Sequence, residues 1–134
     1  MTVTVDGLSW TGPHDFRRRL QFQGELPAEA GFYAFTDCEQ LRPGAVLYVG
    51  ATLNLRSRVP KYDFSTLGGG ARPPVIHTGM IQIRNWQQNP NNKIFVWWAL
   101  FPALKKEKEL VSALVPRFND KLTDEVSKTW GFPD

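Results

Sequence analysis

Apolar and polar positions alternate loosely at the start of the chain. Val3, Val5, Leu8 and Trp10 fit an edge strand or an extended arm, and Thr11-Gly12-Pro13 breaks the run. From His14 to Gln23, Phe16 and Leu20 share one face of a short helix. Its basic run, Arg17-Arg18-Arg19, is read first as a solvated helix face and second as a phosphate contact. Two short apolar stretches follow, Gly31-Phe32-Tyr33-Ala34-Phe35 and Ala45-Val46-Leu47-Tyr48-Val49, the second ended by Gly50. Both are rich in β-formers. The stretch between them holds Asp37, Pro43 and Gly44, which marks a loop. The economical arrangement is an antiparallel hairpin with Tyr33 and Tyr48 on neighbouring strands.

Thr52 is the expected N-cap of a helix over residues 53–59, stopped by Pro60, with Leu55 and Val59 turned inward. Residues 62–74 read as a loop. Its Gly68-Gly69-Gly70 is not followed by a Lys-Ser/Thr pair, which excludes a P-loop. Residues 75–88 hold a second amphipathic helix with Met80, Ile83 and Trp86 at helical spacing. Residues 93–100 are nearly continuously apolar and predict a central strand buried on both faces. Residues 102–114 give the best helix, ended by Pro116. A short terminal helix over 123–128 and an apolar tail at Trp130-Gly131-Phe132-Pro133 complete the chain. The expected fold is α/β of the α+β type: a small, three-stranded, mainly antiparallel sheet flanked by helices, in one domain spanning 1–134.

Composition narrows the function only slightly. No apolar run reaches the ~18–20 residues of a membrane span, so no membrane partner is expected. The first ten residues do not resemble a secretory signal. One cysteine, Cys38, makes neither an internal disulfide nor a cysteine zinc site and is expected to be inert. The default is a cytoplasmic protein, with export as a toxin left open. A net charge of +3 is compatible with a polyanionic partner.

Glu107 is the residue that does not suit its helix. It falls on the apolar stripe with Leu104, Val111 and Leu114, whereas Glu109 points outward. A carboxylate on a buried face is costly unless paired or bound to a metal. Glu107 is therefore either an edge residue paired with an arginine such as Arg56, or a metal-binding or catalytic group.

At this point the residues resemble a known family. Gly31-Phe32-Tyr33 and Tyr48-Val49-Gly50 are similar to the two motifs that name the GIY-YIG nucleases. Asn54-Leu55-Arg56-Ser57-Arg58-Val59 and Tyr62 resemble the helix after the second motif. Glu107 through Pro116-Arg117-Phe118-Asn119 resembles the family's late helix. The resemblance covers about residues 26–120 and is strongest to the nuclease half of bacterial nucleotide-excision-repair enzymes. Its specificity comes from the ordered set Tyr33, Tyr48, Arg56, Glu107, Asn119. Ala51 departs from the pattern, since many relatives carry lysine or serine there.

The resemblance implies an endonuclease hydrolysing DNA phosphodiester bonds, with a single divalent ion, Mg2+ or Mn2+, on Glu107. It assigns Arg56 to the scissile phosphate and Tyr33 to the attacking water. Tyr48 and Tyr62 hold phosphate oxygens or support Tyr33, and Asn119 braces the site. Arg58, Lys61, Arg72 and Arg117 are the expected nucleic-acid contacts. The alternative is a GIY-YIG-like nucleic-acid-binding module that cuts little, with Ala51 as its warning sign. His14 and His77 lie outside the motifs and are read as solvent-facing or satisfied loop residues. With no zinc finger or helix-turn-helix signature, DNA selectivity is absent, resides in residues 62–92, or comes from a protein partner or a homodimer.

Overall fold

The computed structural model describes residues 2–5, 7–63 and 78–100. Arg72, His77, Glu107, Arg117 and Asn119 lie outside the described residues, as do the helices expected over 102–114 and 123–128.

The described chain is α+β, but its sheet has five strands where three were expected. They are β1 (Thr2–Val5), β2 (Leu8–Asp15), β3 (Gly31–Thr36), β4 (Val46–Thr52) and β5 (Phe95–Leu100), in the order β1-β2-β5-β3-β4. Every neighbouring pair is antiparallel. The extra strand pair forms because β2 runs through Gly12 and Pro13, where the sequence pattern marks a break. The β2–β5 register shifts between Thr11 and His14, so the missing Pro13 N–H falls where the ladder is already interrupted. Similarly, Gly50 does not end β4, which continues to Thr52.

Residues 93–100 behave as their pattern predicts. Strand β5 lies between β2 and β3, and Val96 to Ala99 are buried. Alternation along β3 and β5 sends Tyr33, Phe35, Val96 and Trp98 to one face of the sheet, and Phe32, Ala34, Trp97 and Ala99 to the other. The first face receives the helices. The second packs with Leu8, Trp10, Val49 and Ala51. The Trp97 indole N–H donates to Thr36 Oγ1 at 3.1 Å, which satisfies both buried groups.

The helices are short. A 3-10 turn at Phe16–Arg18 leads into α1 (Arg19–Phe22) and a second 3-10 turn at Gln23–Glu25. This change of pitch upsets the four-residue spacing read from the sequence. Phe16 and Phe22 are buried, whereas Leu20 is 81% exposed. The arginine run is mostly structural. Arg17 donates to the carbonyls of Gln87, Asn89 and Asn92, at or beyond the end of α3 (Thr78–Gln88). A helix C-terminus leaves carbonyls unsatisfied and favours a cation. Arg19 pairs with Asp63 at 2.8 Å, while Arg17 and Arg18 are both exposed, as expected of a solvated run.

Helix α2 (Leu55–Arg58) continues into a 3-10 turn at Val59–Tyr62. Its cap is Asn54, not Thr52: Asn54 Oδ1 accepts from Ser57 N at 3.2 Å, while Thr52 Oγ1 accepts from Asn54 N. Pro60 sits in the first positions of the 3-10 turn, where a missing N–H costs little, so the chain coils on to Tyr62.

Candidate active site: a buried tyrosine cluster

The chain has three tyrosines, and the fold brings all of them together. The β3–β4 register sets Tyr33 opposite Gly50 and Phe35 opposite Tyr48. Tyr33 and Tyr48 are thus diagonal neighbours on the helix-covered face, with ring centroids 6.5 Å apart. The turn after α2 delivers Tyr62, whose ring lies 5.3 Å from that of Tyr33 and 5.9 Å from that of Tyr48. The Tyr33 and Tyr62 hydroxyls share a hydrogen bond at 2.5 Å.

Two glycines make room for these rings. A Cβ on Gly50 would fall inside the Tyr33 ring's contact surface, and one on Gly79 would do the same to Tyr48. The glycine of the second motif is therefore a space requirement of the tyrosine in the first. Ala51, the next residue, pairs with Phe32 and packs in the cluster on the opposite face. Position 51 faces away from the tyrosines, so a lysine there would not join them.

Arg58 lies over the cluster. Its guanidinium carbon lies 5.9 Å from the centre of the Tyr62 ring. Arg56 is exposed and donates Nε to the Leu26 carbonyl at 2.8 Å. Lys61 is half-buried, and its carbonyl accepts from Arg84.

All three phenols are buried, none more than 1% exposed. Burial is the main reason that Tyr48 and Tyr62 hold their protons well above the ordinary phenol value, and Tyr33 adds to it at both. Arg58 acts in the opposite direction on both. Tyr62, kept protonated, can donate its hydroxyl hydrogen to Tyr33. Two residues absent from the sequence reading hold the Tyr62 turn from behind: Arg84 donates to the Lys61 carbonyl and Gln87 to the Tyr62 carbonyl. Both were missed because polar residues on a helix give no periodic signal. Among the described residues no group of three or more His, Cys, Asp or Glu could hold a metal ion.

His14 is no loop residue. It lies on β2, stacked between Phe22 at 4.8 Å and Trp98 at 4.6 Å, and its Nε2 has no hydrogen-bond partner. Burial lowers its proton affinity below the ordinary value of 6.5, against the pull of Glu25. The unfolded chain then binds a proton near pH 6.5 that the folded chain resists. This contribution to stability is complete above that pH and declines as the pH falls, until folded His14 also titrates. Replacing His14 with phenylalanine should flatten the acid-side loss. Urea midpoints of both proteins at about pH 7.5 and about pH 5.5 check this, and equal pH dependence would rule out His14 as its source.

The fold and site define an α+β chain in which a hairpin and the coil after it gather three tyrosines and an arginine. Its homologues are proteins named UvrABC system protein C. The chain is 35% identical over 106 residues to the protein of Legionella pneumophila (strain Lens). It is 32% identical over 111 residues to that of Anaeromyxobacter dehalogenans, and 30% over 105 residues to that of Chlorobaculum tepidum. These matches cover 79%, 83% and 78% of this chain, but it spans only 15%, 14% and 15% of those relatives. No family model matches the chain. No solved structure matches it.

Among the described residues, no helix is long and apolar enough to cross a membrane.

Proposed function

We propose that this chain is a GIY-YIG-type endonuclease domain that hydrolyses DNA phosphodiester bonds with a divalent metal ion. The observation that carries the reading is the Tyr33–Tyr62 hydroxyl pair beside Arg58. It joins the tyrosine of the first motif to one from the coil after the second, in a homologue of UvrABC system protein C. Tyr33 is the base. As the phenolate, with Tyr62 donating to its oxygen, it takes a proton from the attacking water and becomes the neutral phenol. The water oxygen bonds to phosphorus, the bond from phosphorus to the leaving sugar oxygen breaks, and that oxygen takes a proton from solvent. Arg58 replaces Arg56 as the guanidinium assigned to the scissile phosphate, because its planar donor fork lies at the cluster. Tyr48 and Gly50 shape the floor on which Tyr33 rests.

The cluster supplies phenol oxygens but no carboxylate group, so a metal donor must come from elsewhere in the chain. Glu107 is that donor in this reading, and a hard oxygen ligand suits Mg2+ or Mn2+. When bound, the ion stabilises charge that develops on the phosphate. Lys61, Arg72 and Arg117 serve as phosphate contacts and Asn119 as a brace.

The burial of all three phenols favours a second reading, a nucleic-acid-binding module that cuts little. Plasmid DNA separates the two. EDTA-sensitive nicking by the wild-type chain, lost in Glu107→Ala, supports the nuclease. Salt-dependent DNA binding without nicking supports the module and sinks the nuclease reading.

A further inference from the structure

The loop between β3 and β4 meets the start of β5 around a cavity of about 370 Å³, lined by Cys38, Glu39, Gln40, Arg42, Lys93 and Phe95. That volume lies at the lower end of the ~300–1,000 Å³ typical of small-molecule sites. Hydrogen bonds hold its walls in place. Asp37 N donates to the Ala45 carbonyl at 3.0 Å, and Ala45 N donates to the Arg42 carbonyl at 3.1 Å, which closes the loop on itself. Thr36 Oγ1 accepts from the Trp97 indole and donates to the Cys38 carbonyl at 2.7 Å, which ties the loop to the core. Gln40 Oε1 accepts from Arg42 Nε at 2.8 Å and orients the guanidinium. Across the cavity, the Trp86 indole N–H holds the Lys93 carbonyl at 2.9 Å. Phe95 is half-buried, and its ring meets no other ring among the described residues. Among the same residues neither Arg42 nor Lys93 is in an ion pair, although Glu39 shares the cavity with them.

We propose that this cavity binds one unpaired nucleotide, its base stacked on Phe95 and its phosphate held by Arg42 and Lys93. An aromatic face beside two cations suits a ligand that joins a flat π-system to an anion. Guanidinium donors match phosphate oxygens, the ammonium adds a point charge, and every base offers a face to an aromatic ring. Glu39 is left to accept from an amino group of the base. A paired base is stacked inside its duplex and does not reach such a ring. Phe95 pairs with Thr36, and strand alternation sets it on the face of Trp97 and Ala99, opposite the tyrosines. The cavity is thus separate from the tyrosine cluster, and nucleotide binding there does not depend on the nuclease reading. Where that reading holds, the cavity favours DNA with an unpaired strand.

Cys38 is the one cysteine of the chain and lines the cavity, so its alkylation by N-ethylmaleimide reports occupancy. Work in EDTA keeps strand cleavage out of the readout. Deoxyadenosine monophosphate should slow the alkylation at a concentration about tenfold below that needed with inorganic phosphate, the contribution of one stacked base. A single-stranded deoxyadenosine oligonucleotide should also protect, and a blunt duplex should not. Protection by both nucleotide probes assigns the site to a strand, and protection by the monophosphate alone assigns it to free nucleotides. Phe95→Leu should lose the preference over phosphate. Lys93→Gln, at an exposed side chain, should weaken protection by both small probes and flatten its salt dependence. Equal protection by phosphate and monophosphate would overturn the proposal, as would a thiol that no probe protects, or a duplex that protects as well as a single strand. If Phe95→Leu does not fold, the wild-type comparison and Lys93→Gln decide. Protection in a chain that never nicks DNA leaves this inference standing and removes the nuclease reading, while nicking by a chain whose thiol stays unprotected does the reverse.

Discussion

Arg58→Ala is expected to slow DNA nicking by about 10²–10³-fold, the usual cost of removing a preorganised donor from developing charge. Arg56→Ala should leave the rate nearly unchanged. The two arginines sit on one short coil and differ by two positions, so charge and proximity to DNA do not separate them. Direction does. Arg58 lies over Tyr62, and Arg56 is bonded to the Leu26 carbonyl. Loss of that bond should cost about 0.5–1.5 kcal/mol of stability, visible as a lower urea midpoint. Arg58→Lys should not restore the rate, because a point charge lacks the planar fork. Single-turnover nicking at saturating protein measures each variant without the effect of DNA affinity. A larger loss in Arg56→Ala than in Arg58→Ala would return the phosphate role to Arg56.

Tyr33→Phe should lower nicking by about 10²–10⁴-fold, the range for a positioned general base. The ring remains, so it still fills the space above Gly50 and against Phe35. Only the hydroxyl is lost, and with it the 2.5 Å bond to Tyr62. That should cost about 1–3 kcal/mol, because the Tyr62 hydroxyl stays buried. DNA affinity should be retained, since the phenols contribute no positive charge to phosphate binding. Gel-shift titration against single-turnover nicking separates the two effects. A Tyr33→Phe chain that nicks at the wild-type rate would remove Tyr33 as the base and leave a purely structural cluster.

Much of the fold is legible along the chain. The hairpin follows from two β-forming stretches around a turn-rich loop, and the centre of the sheet from a continuous apolar run at residues 93–100. Both signals are local and strong. Strand β2 was obscured because Gly12-Pro13 breaks an isolated strand, yet a register shift against β5 accommodates it. Leu20 was misplaced because a 3-10 turn precedes α1 and changes the angular spacing. The number of strands depends on partners far along the chain, and local propensity carries no information about them.

The site divides along the same line. The sequence by itself determined that two tyrosines would lie on adjacent strands, with a glycine after the second and a basic coil beyond. These follow from strand alternation and short connections. Only the tertiary structure decided that Tyr62 reaches Tyr33, that Arg58 lies over the Tyr62 ring, and that Ala51 belongs to the opposite face. Only the structure, too, joined α3 to the tyrosine turn, through Arg84 and Gln87, 23 and 25 residues beyond the carbonyls they hold. The physical reason is that a side chain's direction depends on cap, pitch and register together. A one-residue change in any of them turns a residue from one face to the other.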